Sequence, residues 1–77
     1  MVRVRGGLNV SRRKDPEGNY VMVMDMDSYE LLKSSISKLG VNVEFMGNLV
    51  IIRDKSWSRI NKLINTAREL SINVNED

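Results

Sequence analysis

Three closely spaced carboxylates, Asp25, Asp27 and Glu30, are the residues of this sequence whose types and spacing could hold a metal ion. Hard cations such as Mg²⁺ prefer carboxylate oxygens, so the three side chains could be drawn as a magnesium site. The stretch Asp27-Ser28-Tyr29-Glu30 also resembles a capping box, in which Asp27 begins a helix and Glu30 reaches back to its backbone. Because capping would use two of the three carboxylates, we expect no metal site.

The residue types that carry most enzyme chemistry are missing from the sequence. None of the 77 residues is a histidine or a cysteine, which removes the commonest general base, the commonest metal ligand and any disulfide or thiolate site. The serines have no histidine to activate them, and the scattered glycines form no phosphate-binding loop. We therefore expect no catalytic residue and no cofactor, and we interpret the chain as a small binding or assembly module.

Basic residues are concentrated at the N-terminal end of the chain. Residues 1–14 contain five basic residues and no acidic ones, whereas residues 15–77 contain seven basic and ten acidic residues. A basic end on a mildly acidic body is typical of proteins with a polyanionic partner, although a solubilising terminus is the alternative. The candidate nucleic-acid-binding residues are Arg3, Arg5, Arg12, Arg13 and Lys14.

The stretch from Val41 to Leu70 organises the chain. Residues 41–52 form two apolar runs around Gly47-Asn48, which predicts a β-hairpin whose tight turn needs positive φ. An amphipathic helix follows, with Ser56 as its N-cap and Asp54 as the alternative. The predicted buried stripe of this helix is Trp57, Ile60, Leu63, Ile64, Ala67 and Leu70.

The N-terminal half contains a second strand and helix. Residues 2–10 alternate apolar and polar side chains, which indicates either a strand with a bulge at its glycines or an arm. Residues 15–18 suit a type I turn. Residues 20–24 are a continuous apolar run, as in a strand that is apolar on both faces, and they lead into a helix predicted for residues 28–39.

These elements predict one domain over residues 1–77, in which residues 1–14 are a basic strand or arm and residues 71–77 a frayed polar tail. The order (β)-β-α-β-β-α predicts an α+β fold, with a small antiparallel or mixed sheet of three to four strands and two helices packed on one face. No apolar run approaches the roughly 20 residues of a membrane span, and the basic terminus lacks the apolar region of a secretory signal. We expect a soluble cytoplasmic protein without membrane contact.

The hairpin has a second apolar face. Its register places the expected core residues on one side, namely Val41, Val43, Phe45, Val50 and Ile52. The other side carries Met46, Leu49 and Ile51, joined by one face of the strand at residues 20–24. Exposed apolar surface of this kind marks an interaction site, unless the N-terminal segment folds over it. Because so short a chain buries only a small core, we expect oligomerisation to stabilise it, with Trp57 a possible interface anchor.

The stretch from Tyr20 to Leu70 resembles the small Pcc-type subunit of the archaeal and eukaryotic KEOPS complex, which makes the threonylcarbamoyl modification of adenosine in transfer RNA. In that family a strand leads directly into a helix, then a hairpin, then a helix that opens with a Ser-x-x-Arg pattern, here Ser56-Trp57-Ser58-Arg59. The sequence departs from the family at Lys62-Leu63-Ile64, where an asparagine-serine pair is usual, and in its added basic segment. These departures indicate a divergent paralogue.

The resemblance implies a non-catalytic subunit that dimerises with itself or with a related small subunit. It would hold the catalytic subunit of the modification complex through its two helices, with a possible contact to transfer RNA, and Arg59 is the helix residue that matches the family motif. The expected partner-binding residues are Met46, Leu49, Ile51, Trp57 and Arg59. The alternative function is a stand-alone nucleic-acid-binding protein that uses the arginine-rich N-terminal segment on phosphates.

Overall fold

A computed structural model describes residues 7–76 as a five-stranded mixed sheet with two helices. The elements are β1 (Gly7–Ser11), β2 (Tyr20–Asp25), α1 (Met26–Leu39), β3 (Asn42–Met46), β4 (Leu49–Asp54), α2 (Trp57–Glu69) and β5 (Asn73–Glu76). The spatial order of the strands is β3-β4-β2-β1-β5. The α+β prediction is confirmed, with five strands instead of the expected three to four. Residues 7–11 form a strand and not an arm, whereas residues 1–6 lie outside the described part.

The sheet is antiparallel except at one edge. β2 pairs with both β1 and β4, so that Met22 lies opposite Val10 on one side and Ile52 on the other. β3 and β4 form the predicted hairpin, with Phe45 opposite Val50. β5 instead runs parallel to β1. α1 connects β2 to β3, and α2 connects β4 to β5. In each case the two connected strands run parallel and are separated by at least one other strand of the sheet.

Both helices pack on the same face of the sheet, which we call the covered face, and the other is the open face. α1 buries Leu32 and Ile36 there, and α2 buries four aliphatic residues from successive turns. The buried strand residues come from alternate positions, as the period of two requires. The hydrophobic core comprises Leu8, Val10, Met22, Met24, Leu32, Ile36, Val41, Val50, Ile52, Ile60, Leu63, Ile64, Ala67 and Ile72.

α1 begins directly after β2, without a loop between them. The capping residue is Asp25, whose carboxylate accepts a hydrogen bond from the backbone N–H of Ser28 at 2.9 Å. The prediction that Asp27 caps this helix is therefore wrong, because the last residue of the strand already fills that position. Glu30 pairs with Lys33 at 3.1 Å and does not complete a capping box.

The predicted turns are confirmed at their glycines. The N–H of Gly18 donates to the carbonyl of Asp15 at 2.9 Å, which closes the turn between β1 and β2. Gly47 has φ +59°, whereas Asn48 is not among the residues with positive φ. Positive φ at the first central residue alone is the pattern of a type II′ turn. Gly40 ends α1 in the left-handed conformation, with φ +69°.

Residues 73–76 of the polar tail form a strand, so the prediction that this part is frayed is wrong. Ser71 adopts φ +62°, a left-handed conformation that usually falls to glycine. The N–H of Ile72 donates to the Ala67 carbonyl at 2.9 Å and that of Ser71 to the Arg68 carbonyl at 3.1 Å, which is a Schellman motif. The chain thereby turns back to the sheet. Ile72 is buried, whereas Leu70, expected in the helix stripe, is exposed.

Phe45 is the other core prediction that the structure corrects. It lies in register with the buried Val50, on the covered side of the sheet. Its side chain is nevertheless 59% exposed, because β3 is an edge strand. The Phe45 ring instead meets the Tyr29 ring edge-on, with centroids 5.2 Å apart. Aromatic pairs of this geometry add about 0.5–1.5 kcal/mol beyond area burial.

Candidate functional site: an open sheet face and a basic-aromatic corner

The open face carries a band of apolar side chains that no helix covers in residues 7–76. Met46 and Leu49 lie opposite each other on β3 and β4 and are 60% and 45% exposed. Ile51 and Val23 lie opposite each other on β4 and β2, and Val21 precedes them on β2; all three are half-buried. The sequence prediction that Met46, Leu49 and Ile51 share a face with one side of β2 is therefore confirmed.

Polar residues border this apolar band on both sides. On β3 and β4, Glu44 and Arg53 form an ion pair. On the other side of the band, Asn9 of β1 lies opposite Asn75 of β5. The alternation of each strand places these side chains on the same side as Ile51 and Val23. The open face is therefore an apolar strip within a polar frame, and the Glu44–Arg53 pair is neutral within itself.

A second cluster lies at the opposite side of the sheet, where β2 and α2 begin. The Tyr20 and Trp57 rings are tilted by 60° with centroids 5.1 Å apart. The Arg12 guanidinium carbon lies 5.5 Å from the centroid of Trp57, and the Lys14 ammonium lies 5.4 Å from that of Tyr20. Both cations are within the range of cation–π attraction. We call these four residues the basic-aromatic corner.

The corner is joined to the C-terminal strand by a shared carboxylate. Glu76 on β5 accepts hydrogen bonds from Arg12, at 2.9 Å from Nη2 and 3.2 Å from Nε, and a further one from Arg68 on α2. The Arg12 hydrogen bond, followed by that of Arg68, lowers the pKa of Glu76 below its ordinary value. Two guanidinium groups thus converge on one anion beside the aromatic pair.

The corner encloses a shallow pocket of about 240 Å³ lined by Arg12, Tyr20 and Trp57. Drug-sized ligands occupy pockets of roughly 300–1,000 Å³. This pocket therefore suits a smaller planar group, with two aromatic rings to pack against it and a guanidinium at its rim.

The predicted site residues are divided between these two regions. Trp57 and Arg59 belong to α2 on the covered side, so they share no surface with Met46, Leu49 and Ile51. Arg59 donates to the largely buried carboxylate of Asp54 at 3.2 Å. The Asp54 carboxylate also accepts from the backbone N–H of Ser56, whereas the Ser56 side chain makes no capping bond.

The basic residues of the N-terminal segment are also separated. Arg12 and Lys14 lie in the basic-aromatic corner. Arg13 is exposed, and its backbone N–H donates to the Ser11 hydroxyl. Arg3 and Arg5 lie outside the described residues.

Sequence reasoning did not single out Tyr20 of the corner, nor Arg68 and Glu76 beside it. The sequence places Tyr20 only in the apolar run of residues 20–24, although its position beside a basic loop could have indicated a mixed aromatic and cationic site. Arg68 and Glu76 gave no signal, because β5 was not predicted. Elsewhere, Asp25 caps α1, and residues 7–76 contain no group of three or more carboxylates arranged to hold a metal ion.

No family model, curated protein or solved structure matches this chain. The fold and the two surfaces therefore rest on this sequence and structure alone. Within residues 7–76, no helix is long and apolar enough to cross a membrane.

Proposed function

We propose that the chain is a non-catalytic assembly module that associates with a second copy of itself through the open face of its sheet. The observation that carries this proposal is the apolar strip of Val21, Val23, Met46, Leu49 and Ile51, which no helix covers in residues 7–76. The other face of the same sheet is buried beneath α1 and α2. Uncovered apolar surface with a polar rim is typical of protein interfaces.

The charges of the open face favour a second copy as the occupant. In a two-fold dimer the same surface meets itself, so an unbalanced charge would repel its own copy. Glu44 and Arg53 neutralise each other across β3 and β4, and the Asp25 carboxylate is engaged at the start of α1. The neighbouring edge strand β3 also contains neither proline nor lysine, the residues that commonly block pairing at a sheet edge.

The wider proposal is that this dimer serves a cytoplasmic complex that modifies transfer RNA. The order β2-α1-β3-β4-α2 is the order on which the resemblance to the small Pcc-type KEOPS subunit rests. In this proposal the dimer is formed by two copies or by this chain and a related small subunit, and the helices hold the catalytic subunit.

Self-association is tested with a matched pair of leucine-to-lysine variants. Leu49 on the open face is 45% exposed and Leu31 on α1 is 37% exposed, so neither change creates a core cavity. We expect the full chain and Leu31→Lys to be dimeric at tens of micromolar by sedimentation equilibrium, and Leu49→Lys to be monomeric. Far-ultraviolet circular dichroism verifies that both variants fold. A monomeric full chain at several hundred micromolar, or identical behaviour of the two variants, would contradict the proposal.

The complex is tested separately by affinity capture of the tagged full chain from its native cells. We expect to recover a transfer-RNA-modifying enzyme with its subunits, and we expect modification activity in the captured fraction. Recovery of the chain with copies of itself alone would leave the dimer intact but would exclude the proposed role in transfer-RNA modification.

A further inference from the structure

We propose that the basic-aromatic corner binds single-stranded nucleic acid, with one unpaired base against Trp57 and Tyr20 and a neighbouring phosphate on Arg12 and Lys14. This inference goes beyond self-association and does not depend on it. The corner lies on the covered side of the sheet, because Tyr20 and Val21 point to opposite faces of β2. A second copy on the open face would leave the corner accessible.

The corner contains the two components that recur in single-strand binding. Aromatic rings provide stacking surfaces for bases of any sequence, and cations beside them follow the phosphate backbone. Trp57 and Tyr20 are both half-buried, so each ring is fixed at its base and accessible above it. The two rings are tilted by 60° with centroids 5.1 Å apart, so they contact each other and a base would pack against the pair from outside. The cations lie over the ring faces, 5.4–5.5 Å from the centroids, so a stacking base would move them aside and they would then lie next to it, within reach of its phosphate.

Glu76 marks where an anion is held. Its carboxylate accepts from the guanidinium groups of Arg12 and Arg68. Planar guanidinium groups bind carboxylates and phosphates with the same paired geometry. A phosphate can therefore occupy the position that Glu76 occupies, and the internal carboxylate competes with it. We infer that Glu76 weakens nucleic-acid binding and that its removal strengthens it.

The size of the pocket favours a single unpaired base over a duplex. Its volume of about 240 Å³ is below that of drug-sized sites. Stacking on Trp57 requires a base whose face is exposed, and in a duplex that face is covered by the neighbouring base pairs. Base stacking and phosphate contacts do not distinguish ribose from deoxyribose, so RNA and DNA strands are compared as ligands.

The single tryptophan of the chain provides a direct readout, because Trp57 is the only one. We would titrate the full chain at about 50 mM salt with a ten-nucleotide oligouridylate, the matching oligothymidylate and a ten-base-pair duplex. Excitation at the red edge of the tryptophan band then reports on the corner alone. We expect quenching that saturates with either single strand, and at least tenfold weaker binding of the duplex.

Charge variants test the phosphate contacts. We expect the double variant Arg12→Gln/Lys14→Gln to bind about tenfold more weakly, or more weakly still. The slope of log K against log[salt] should become shallower by about 1.4, the value for two phosphate contacts on a single strand. Lys33→Gln is the control, because Lys33 is exposed on α1 and pairs with Glu30. We expect it to change the affinity less than twofold.

The competing carboxylate gives a test in the opposite direction. We expect Glu76→Gln to tighten binding about three- to tenfold. Glu69→Gln makes the same change in net charge on α2, and Glu69 forms no ion pair within residues 7–76; we expect it to change the affinity less than twofold. Equal gains in the two variants would indicate an effect of net charge and would overturn the role assigned to Glu76.

Removing the stacking surface completes the set. Trp57→Leu retains an apolar contact with the core but has no aromatic face, and we expect about tenfold weaker binding by fluorescence anisotropy. If the variant fails to fold, quenching of Trp57 in the unaltered chain remains the decisive measurement. Binding without quenching, preference for the duplex, or no binding by either the full chain or Glu76→Gln would overturn the proposal.

Discussion

On the covered face of the sheet, Met22 and Ile52 lie fully buried beneath the two helices, whereas Val23 and Ile51 lie partly exposed on the open face. The four residues are neighbours on β2 and β4 and differ little in hydrophobicity. Their burial depends on where α1 and α2 return to the sheet. Apolar composition therefore identifies a strand, whereas the connections between strands decide which of its faces is covered.

The largest expected effect comes from truncating the same side chain on the two faces. Ile52→Ala removes buried atoms from the core and leaves a cavity, so we expect it to lower the free energy of unfolding by about 3 kcal/mol. Ile51→Ala removes a partly exposed side chain, and we expect a loss below about 1 kcal/mol. Urea unfolding of both variants measures the difference.

The effect of protein concentration separates the two faces further. If two copies meet through the open face, the loss caused by Ile51→Ala should grow with protein concentration, because association stabilises the folded state by mass action. The loss caused by Ile52→Ala should be present at every concentration. Equal losses in dilute solution would contradict the assignment of the two faces.

The next effect concerns the cap that starts the covering helix. Asp25→Ala removes the side-chain hydrogen bond to the Ser28 N–H, and we expect a loss of about 1 kcal/mol in the free energy of unfolding. Asp27→Ala removes only a favourable charge in the first turn, and we expect about 0.5 kcal/mol. Chemical unfolding at neutral pH measures both. A larger loss for Asp27→Ala would support the capping box that the sequence suggested.

A smaller and opposite effect is expected where α2 turns back to the sheet. Ser71 is the one non-glycine residue with positive φ in residues 7–76. Glycine adopts this conformation without strain but loses more chain entropy on folding. We expect Ser71→Gly to raise the free energy of unfolding by about 0.5 kcal/mol. A thermal shift to lower temperature in this variant would show that Ser71 is held by contacts that glycine cannot replace.

The smallest effect is the pH dependence of the link between β5 and the corner. Arg12 and Arg68 hold the pKa of Glu76 below its ordinary value. A carboxyl group whose pKa is lowered in the folded state stabilises the protein at pH values above its pKa in the unfolded chain. This contribution is lost as the pH falls through the pKa of the folded state. We expect the melting temperature of the full chain to decrease more between pH 6 and pH 3 than that of Glu76→Gln.

Glu69→Gln is the control for this pH series, because Glu69 is exposed on α2 and forms no ion pair within residues 7–76. Its melting temperature should follow that of the full chain. A Glu76→Gln profile parallel to that of the full chain would mean that the ion pairs with Arg12 and Arg68 do not contribute to stability.

The parts of the fold that sequence reasoning predicted are those with local signals. The stripe of α2, the hairpin turn at Gly47 and the end of α1 at Gly40 each depend on residues within a few positions of one another. β5 was not predicted because its residues, Asn73-Val74-Asn75-Glu76, are mostly polar. The turn that leads from α2 to β5 also has a serine, Ser71, at the positive-φ position where a glycine would be the usual signal. Its partner β1 lies at the other end of the chain, which no local pattern reports.

The candidate sites, like the fold, were predicted only where the signal is local. Hairpin register alone grouped Met46, Leu49 and Ile51, because the side-chain period of a strand is two. The basic-aromatic corner combines the loop after β1, the start of β2 and the start of α2, with β5 alongside. Arg12 and Trp57 were each singled out, but their contact follows from the strand order, which the sequence did not provide.

The parallel pairing of β1 with β5 also bears on how the chain folds. The Arg12–Glu76 contact that joins these strands' ends spans 64 residues, and contacts of such long range slow folding, because a large loop must close first. During folding, β1, β2 and the β3–β4 hairpin can pair before β5 docks. During that interval the outer edge of β1 has no partner strand and can pair with another chain. We therefore expect chains truncated before Asn73 to be the aggregation-prone form of this protein.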